Sequence, residues 1–312
     1  MKCLLQKLQN WQGSIFMSDY LIIRKMYVNE VSMDASPVVN GFPAVPAIMG
    51  FVHALQRKLQ KLYPDIRLEK AAISSHSFSP GVYRIGHNVR PAMSKNPAYS
   101  KKHIDKETLK GVPFIEEGKA SLCTSLLIQI NKSDFIPEQL CDEVGKLLPA
   151  MRFSGGTIWK TQKILFKTCS EHDEQENKEI IRQLMPGFVL IERSDLIKNS
   201  VSQNVDALDV LLDHLQIDRV DEPEKNEKPQ WKRKIEETGW LVPIVVGYRD
   251  ITGSMPVQNQ RDQVTEHCFA ENIITLGEFV MPVRFDSVQE MLWQPFIDKN
   301  NGLYAYKQIN KN

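Results

Sequence analysis

The stretch NGFPAVPAIMGFVHALQRKLQKL, residues Asn40–Leu62, joins a strand to the chain's clearest helix. Val45, Ile48, Met49, Val52, Leu55, Leu59 and Leu62 recur at helical spacing, while Gln56, Arg57, Lys58, Gln60 and Lys61 fill the opposite face. That pattern predicts one amphipathic helix packed on a core. Pro46 suits its first turn, where a missing N–H costs no hydrogen bond. The preceding Asn40-Gly41-Phe42-Pro43 predicts a turn that brings bare backbone close to the helix N-terminus, where an anion such as phosphate is favoured. An ordinary strand-to-helix turn fits the same residues.

Working outward, β-formers from Tyr20 to Val31 predict a strand before this helix, and Arg67 to Phe78 and Ala120 to Asn131 predict two after it. Leu140, Val144, Leu147 and Leu148 mark a second amphipathic helix over 136–148, and Thr157 to Thr168 a fourth strand. The order βαββαβ predicts an α+β fold with a ferredoxin-like, RNA-recognition-type domain over residues 17–168. Residues 1–16 are expected to be an extension outside the fold, Met17 being a second conceivable start. Residues 169–312 are expected to form a second, mainly β lobe. In it, Glu171 to Glu179 reads as an exposed acidic linker, and Asp206 to Leu215 as a short helix. Gly239 to Tyr248 reads as a buried apolar run, Phe269 to Val280 as a strand, and the tail from Met291 as aromatic but irregular.

Composition narrows the function. With 39 Lys and Arg against 38 Asp and Glu, the net charge of +1 gives no global pull on nucleic acid, so any RNA site must be a local patch. The most basic stretch is the insertion 81–118, which holds Arg84, His87, Arg90, Lys95, Lys101, Lys102, His103, Lys106 and Lys110 with Tyr83 and Tyr99 interleaved. Cations and rings suit single-stranded RNA, although a solvated loop carries the same composition. Five scattered cysteines without a CxxC pair argue against a disulfide framework or a metal centre and fit a reducing cytoplasm. No apolar run approaches the roughly 20 residues of a membrane helix. No nucleotide fingerprint, Walker loop or catalytic triad order occurs with its required context, and no cofactor is expected. His53, beside core positions on the helix, reads as a packed side chain; His76, among serines at a strand end, as an RNA contact or a solvent-facing group.

Several motifs carry a family resemblance. GFPAVPAIMGFVHALQRKL resembles the corresponding turn and helix of the second Csy protein family, the Cas-five-type subunits of type I-F CRISPR surveillance complexes. Arg152-Phe-Ser-Gly-Gly-Thr157 resembles that family's Arg-x-x-Gly-Gly-Thr glycine loop. Thr238-Gly-Trp-Leu-Val-Pro-Ile-Val-Val-Gly-Tyr248, then Val257-Gln-Asn-Gln-Arg-Asp262, then Phe269 and Leu276-Gly-Glu278 are similar to its Gly-Trp-Leu-Val-Pro run, Asn-x-Arg-Asp turn and terminal strand.

The resemblance implies a non-catalytic subunit that holds the 5′ handle of the CRISPR RNA, abuts the large subunit and a neighbouring backbone subunit, and meets target DNA only through the complex. Arg152, Gly155, Gly156 and Thr157 would then seat backbone phosphates, since glycines let amides approach closely. Asn40, Gly41 and Phe42 would touch the handle, Asn259 and Arg261 would fix the second lobe against it, and Lys101 and Lys102 would offer charge. The alternative is a metal-independent endoribonuclease of the same fold that uses a histidine as general acid or base to process precursor CRISPR RNA.

Overall fold

A computed structural model describes residues 17–86, 88–95, 116–131, 135–170, 173–201, 206–220, 230–235, 239–258, 260, 262 and 264–309. The expected extension 1–16 and most of the basic stretch, including Lys101 and Lys102, lie outside the described residues, as do Asn259 and Arg261.

The first strand, β1 (Met17–Ser32), leads through the small ribbon β2 (Asp34–Ser36) and β3 (Val39–Asn40) into α1 (Val45–Leu59). The chain returns as β4 (Arg67–Pro80), makes the hairpin β5 (Val82–Ile85) and β6 (Asn88–Pro91), and adds the short β7 (Met93–Lys95) to the edge of β8 (Glu116–Asn131). After α2 (Pro137–Leu147), β9 (Arg152–Phe153) turns tightly into β10 (Gly156–Ser170). These long strands lie side by side in the order β4-β8-β1-β10, every neighbour antiparallel. The fold is therefore α+β, built on a large antiparallel sheet with few helices.

The periodicity of α1 explains its seat. Val45, Ile48, Met49, Val52, Leu55 and Leu59 are buried against Leu21, Ile23, Leu126, Ile128 and Ile73 of the sheet, joined by Leu140 and Val144 of α2. His53 points the other way and is exposed, a correction to its reading as a packed side chain. It falls between the buried positions Val52 and Leu55, off the stripe that meets the sheet.

The opposite sheet face is partly covered by α3 (Glu174–Gln183), which occupies the stretch expected to be a linker. Asp173 caps this helix by accepting from the Gln175 and Glu176 amides, and Glu174 and Glu176 lie in its first turn, where negative charge favours the helix dipole. Ile180, Ile181 and Leu184 then pack on Tyr20, Ile22, Ala72 and Leu127. The acidic run is thus the polar start of a core helix.

The remaining strands are β11 (Phe188–Glu192), then, after α4 (Ser194–Val201) and α5 (Ala207–Leu215), the ribbon β12 (Ile217–Val220) and β13 (Gln230–Arg233), and finally β14 (Leu241–Asp250), β15 (Ala270–Val280), β16 (Trp293–Asp298) and β17 (Leu303–Gln308). The ribbon β12–β13 stands apart as its own two-stranded sheet; the others join the large sheet in the order β11-β15-β14-β17-β16-β4, and β11 also pairs with β4, so this part closes on itself. Pro243 is accommodated in β14 because β17 pairs only with Gly247 to Arg249, leaving the proline's donorless side without a ladder partner. The tail is a regular hairpin instead of an irregular segment. Trp293 is fully buried, donating from Nε1 to the Leu190 carbonyl at 3.0 Å, and Asp298 ties the turn by accepting from Asn300, Asn301 and the Asn301 side chain.

Candidate nucleic-acid interface

The hairpin joining β9 to β10 has two central residues, Ser154 and Gly155, both at positive φ (+47° and +81°). This is the twist that a two-residue hairpin requires. A Cβ on Gly155 would meet nothing within 4 Å, so this glycine leaves bare, open backbone at the tip. Gly156 is different. Its Cβ would fall 2.6 Å from the Asn29 carbonyl oxygen and 2.9 Å from the Val28 and Val31 Cγ1 atoms, so its small size lets β10 close against β1. The Ser32 amide secures the tip by donating to the Ser154 carbonyl at 3.0 Å. Arg152 is exposed, and its Nη1 donates to the Thr157 hydroxyl across the hairpin, which holds the guanidinium beside the tip.

A cleft of about 430 Å³ lies beside this tip, lined by Arg152, Ser154, Gly155, the first turns of α1, Asp34 and Tyr248 of β14. The start of α1 and the glycine hairpin, more than a hundred residues apart in the chain, thereby share one surface, while Asn40, Gly41 and Phe42 of the preceding turn lie outside the cleft lining. Helix α1 begins at Ala44 with no side-chain cap and no acidic residue in its first turn, so the helix end itself favours an anion, while the exposed Asp34 carboxylate in the lining opposes one. Its supply of amides is nevertheless small: Pro46 has no N–H, and the Ala47 amide already donates to the Ala44 carbonyl at 3.0 Å. The helix dipole and Arg152, more than a fan of amides, are the positive features of the cleft, and the Asp34 carboxylate is its negative one.

Asn40 and Phe42 have structural tasks in this region. The exposed Asn40 donates from Nδ2 to Asp34 Oδ1, while Asp34 Oδ2 accepts from the Gly118 amide at 3.0 Å, fastening the turn to β8. Phe42 packs between Phe78 and Phe279, with ring centroids 5.8 and 5.1 Å away. Its ring is committed to the core edge. Tyr248 closes the opposite wall of the cleft. It ended the apolar run singled out in the sequence, but nothing local distinguished it from its strand neighbours.

The second group of motif residues serves packing. A Cβ on Gly239 would lie 2.5 Å from Glu278 Oε1, and one on Gly277 would lie 2.8 Å from Ile244 Cδ1. Glu278 is buried and receives Arg193 Nη1, whose guanidinium is also held by Asp195 at 3.1 Å. A cleft of about 520 Å³ near this pair therefore offers an arginine already neutralised by two carboxylates. Asp262 accepts from the Val264 and Thr265 amides at 3.0 and 2.6 Å, and the Thr265 amide bond above all holds its carboxyl below the usual range.

Among the described histidines, His214 is buried, and the half-buried His76 has both ring nitrogens held by protein partners. Its Nδ1–H donates to the Pro186 carbonyl, and its Nε2 accepts from Ser125 Oγ at 2.6 Å. Ser125 is fully buried and also accepts from the Lys25 amide at 2.8 Å. Burial lowers the His76 pKa, with Lys25 and Arg24 adding to the effect against the opposing Pro186 bond, so the ring stays neutral as these bonds require. His267 forms an isolated backbone bridge with Met255. Among the described residues no group of three or more His, Cys, Asp or Glu side chains could hold a metal ion, and no helix is long and apolar enough to cross a membrane.

Comparison with known proteins agrees with the motifs. The chain is 27% identical to the CRISPR-associated protein Csy2 of Pseudomonas aeruginosa (strain UCBPP-PA14), over 92% of this chain and 94% of that protein. The family described as CRISPR-associated protein (Cas_Csy2) matches residues 21–306, from the middle of β1 to the last strand. A match that spans both the glycine hairpin and the closing strands leaves one assignment: this chain belongs to the Csy2 family of CRISPR-associated proteins.

Proposed function

We propose that this chain, a Csy2-family component of a type I-F CRISPR surveillance complex, is the non-catalytic subunit that grips the 5′ handle of the CRISPR RNA and abuts the large subunit and a neighbouring backbone subunit in the cytoplasm during antiviral defence. The observation that carries this reading is the cleft in which Arg152, the open backbone of Gly155 and the uncapped start of α1 converge. Phosphate is neutralised there by the guanidinium, while the Cβ-free hairpin tip admits close backbone approach. The strand order β4-β8-β1-β10, with α1 and α2 together on one face, supports reading the first half as a ferredoxin-like unit of the kind RNA-binding proteins use.

The setting of the histidines supports a binding role over cleavage. Transesterification of RNA needs a proton acceptor and a donor aimed at the 2′-hydroxyl and the leaving oxygen. His76 spends both ring nitrogens on protein partners, and its Ser125 neighbour is sealed from substrate. The test is incubation of the purified chain with labelled repeat RNA, alone and with the large subunit. Retarded but intact RNA is expected, and Arg152→Ala should weaken the retardation. Site-specific cleavage that vanishes in His76→Ala would replace this reading with the ribonuclease.

A further inference from the structure

The face of the sheet opposite α1 and α2 is covered by α3 only at one end. At the other end a row of cross-strand neighbours runs Ser77, Cys123, Tyr27, Lys160 from β4 through β8 and β1 to β10. Tyr27 faces away from the helices because Met26 and Val28 on either side enter the core beneath them. Beside the row, Ser79 and Ser121 are exposed.

The register of β10 slips at this point: Tyr27 pairs with Lys160 and Val28 with Ile158, so Trp159 is an extra residue without its own partner. Such a bulge re-aims a side chain out of the regular alternation. Trp159 is 60% exposed, and its ring lies 5.6 Å from Tyr27 at an interplanar angle of 52°. Lys160 Nζ sits 5.8 Å from the Tyr27 ring centre. Trp159 thus presents its indole to solvent directly beside a tyrosine ring and a lysine ammonium.

The charge around the rings has one sign. Strand β10, Gly156–Ser170, carries Lys160, Lys163 and Lys167 and no carboxylate. The facing parts of β1 (Arg24 to Asn29), β8 (Ala120 to Asn131) and β4 (Lys70 to Pro80) also contain none; acids resume at the ends of these segments, at Glu30, Glu69 and Glu117, the last paired with Lys119. A chain with a net charge of only +1 therefore concentrates cations along the strands that carry this aromatic pair.

We infer that this open end of the sheet is a stacking platform for single-stranded RNA, on which one base lies against Trp159, braced by Tyr27, while Lys160 and Lys163 neutralise adjoining phosphates. Aromatic faces accept any base, and flanking cations track the backbone, which is how single strands are held without sequence readout. The platform begins two residues after Thr157 on the opposite face of the sheet from α1, so a strand leaving the Arg152 cleft reaches it by crossing the β10 edge beyond β9. In that sense the inference rests on the RNA-binding reading while adding a surface that the reading does not require.

The test uses the full chain, in its assembled complex and alone, with a fluorescein-labelled repeat-derived RNA carrying 5-iodouridine at successive positions. Trp159→Ala should weaken binding roughly 5- to 150-fold, the range that the loss of one base–aromatic stack gives, and Trp159→Tyr should restore most of it. Cross-linking should mark Trp159 or Tyr27. Because Trp159 is exposed, its replacement should leave the thermal midpoint unchanged, and that control is measured alongside. If Arg152→Ala weakens binding while Trp159→Ala does not, the platform is wrong and the cleft reading survives. If wild-type chain binds no RNA in either form, both fall. If Trp159→Ala binds RNA normally but loses a protein subunit from the complex, the face is a protein contact and the inference is overturned.

Discussion

Gly156→Ala separates a glycine kept for folding from one kept for ligand approach. The added carbon would sit 2.6 Å from the Asn29 carbonyl oxygen and 2.9 Å from two valine methyls, all three on β1. β1 is paired on both sides, by β8 and β10, so its backbone has little room to yield. Forcing one extra carbon into packing of this kind costs about 1–3 kcal/mol. Against a total stability of roughly 5–15 kcal/mol, that is a loss that chemical denaturation resolves clearly. The partner variant is Gly155→Asn. Position 155 is open and left-handed, a conformation asparagine tolerates, so the fold should lose well under about 1 kcal/mol. Urea midpoints followed by tryptophan fluorescence, then RNA titration of the folded fraction at low temperature, give both readouts. Gly156→Ala should be destabilised but bind normally per folded molecule, and Gly155→Asn should be stable but bind more weakly. A Gly156→Ala chain with wild-type stability that has lost RNA affinity would refute the argument, because it would make Gly156 the phosphate contact and leave its packing role without consequence.

Arg152→Ala should lower affinity for single-stranded RNA and flatten the log–log salt dependence by about 0.7, the share of one phosphate contact; an unchanged slope would remove Arg152 from the interface. Asp173→Ala deletes the cap of α3 and should cost about 1 kcal/mol in unfolding free energy, with RNA binding intact. His76 gives a pH signature. Its folded pKa lies below the ordinary 6.5, so its stabilising bonds are fully present above that value and are lost as pH falls through it toward the folded pKa. Urea midpoints should therefore drop on acidification below about pH 6.5. In His76→Asn this part of the drop should be absent, and an identical pH profile would show that the ring is not held neutral in the fold.

Legibility in the sequence followed the range of the forces involved. The stripe of α1 and the alternation of β1, β4 and β8 are local patterns, and their elements form within a few residues of where the periodicity puts them. The tail and the acidic run were misread because charge and aromatic content masked local signals. Asn301-Gly302 between Trp293-Gln-Pro-Phe-Ile and Leu303-Tyr-Ala-Tyr is a hairpin signature, and Asp173 followed by Ile180, Ile181 and Leu184 is a capped amphipathic helix. Attending to the turn and the cap would have found both. The closure of the late strands onto β4 had no such local signal, since it rests on pairings of Phe188 with Ser75 and Trp293 with Ala71 over more than a hundred residues.

The candidate site shows a second limit, which concerns why a residue matches a motif. Gly155 and Gly156 are adjacent in one glycine loop, yet one faces open space and the other is wedged against a neighbouring strand. Phe42, beside the turn glycine, fills a gap between Phe78 and Phe279. Gly239 and Glu278, far apart in the matching run, touch each other. A family pattern therefore mixes positions required by the ligand with positions required by the sheet, and one-dimensional spacing cannot separate them. Space around the Cβ can. Where an added carbon would strike backbone, the glycine answers to packing, and where it would meet nothing, as at Gly155, the left-handed turn is its local reason and the space beside it stays open to a ligand. By that criterion the hairpin tip at Gly155 is the part of the glycine motif free to meet RNA, and Gly156 is what holds the tip in place.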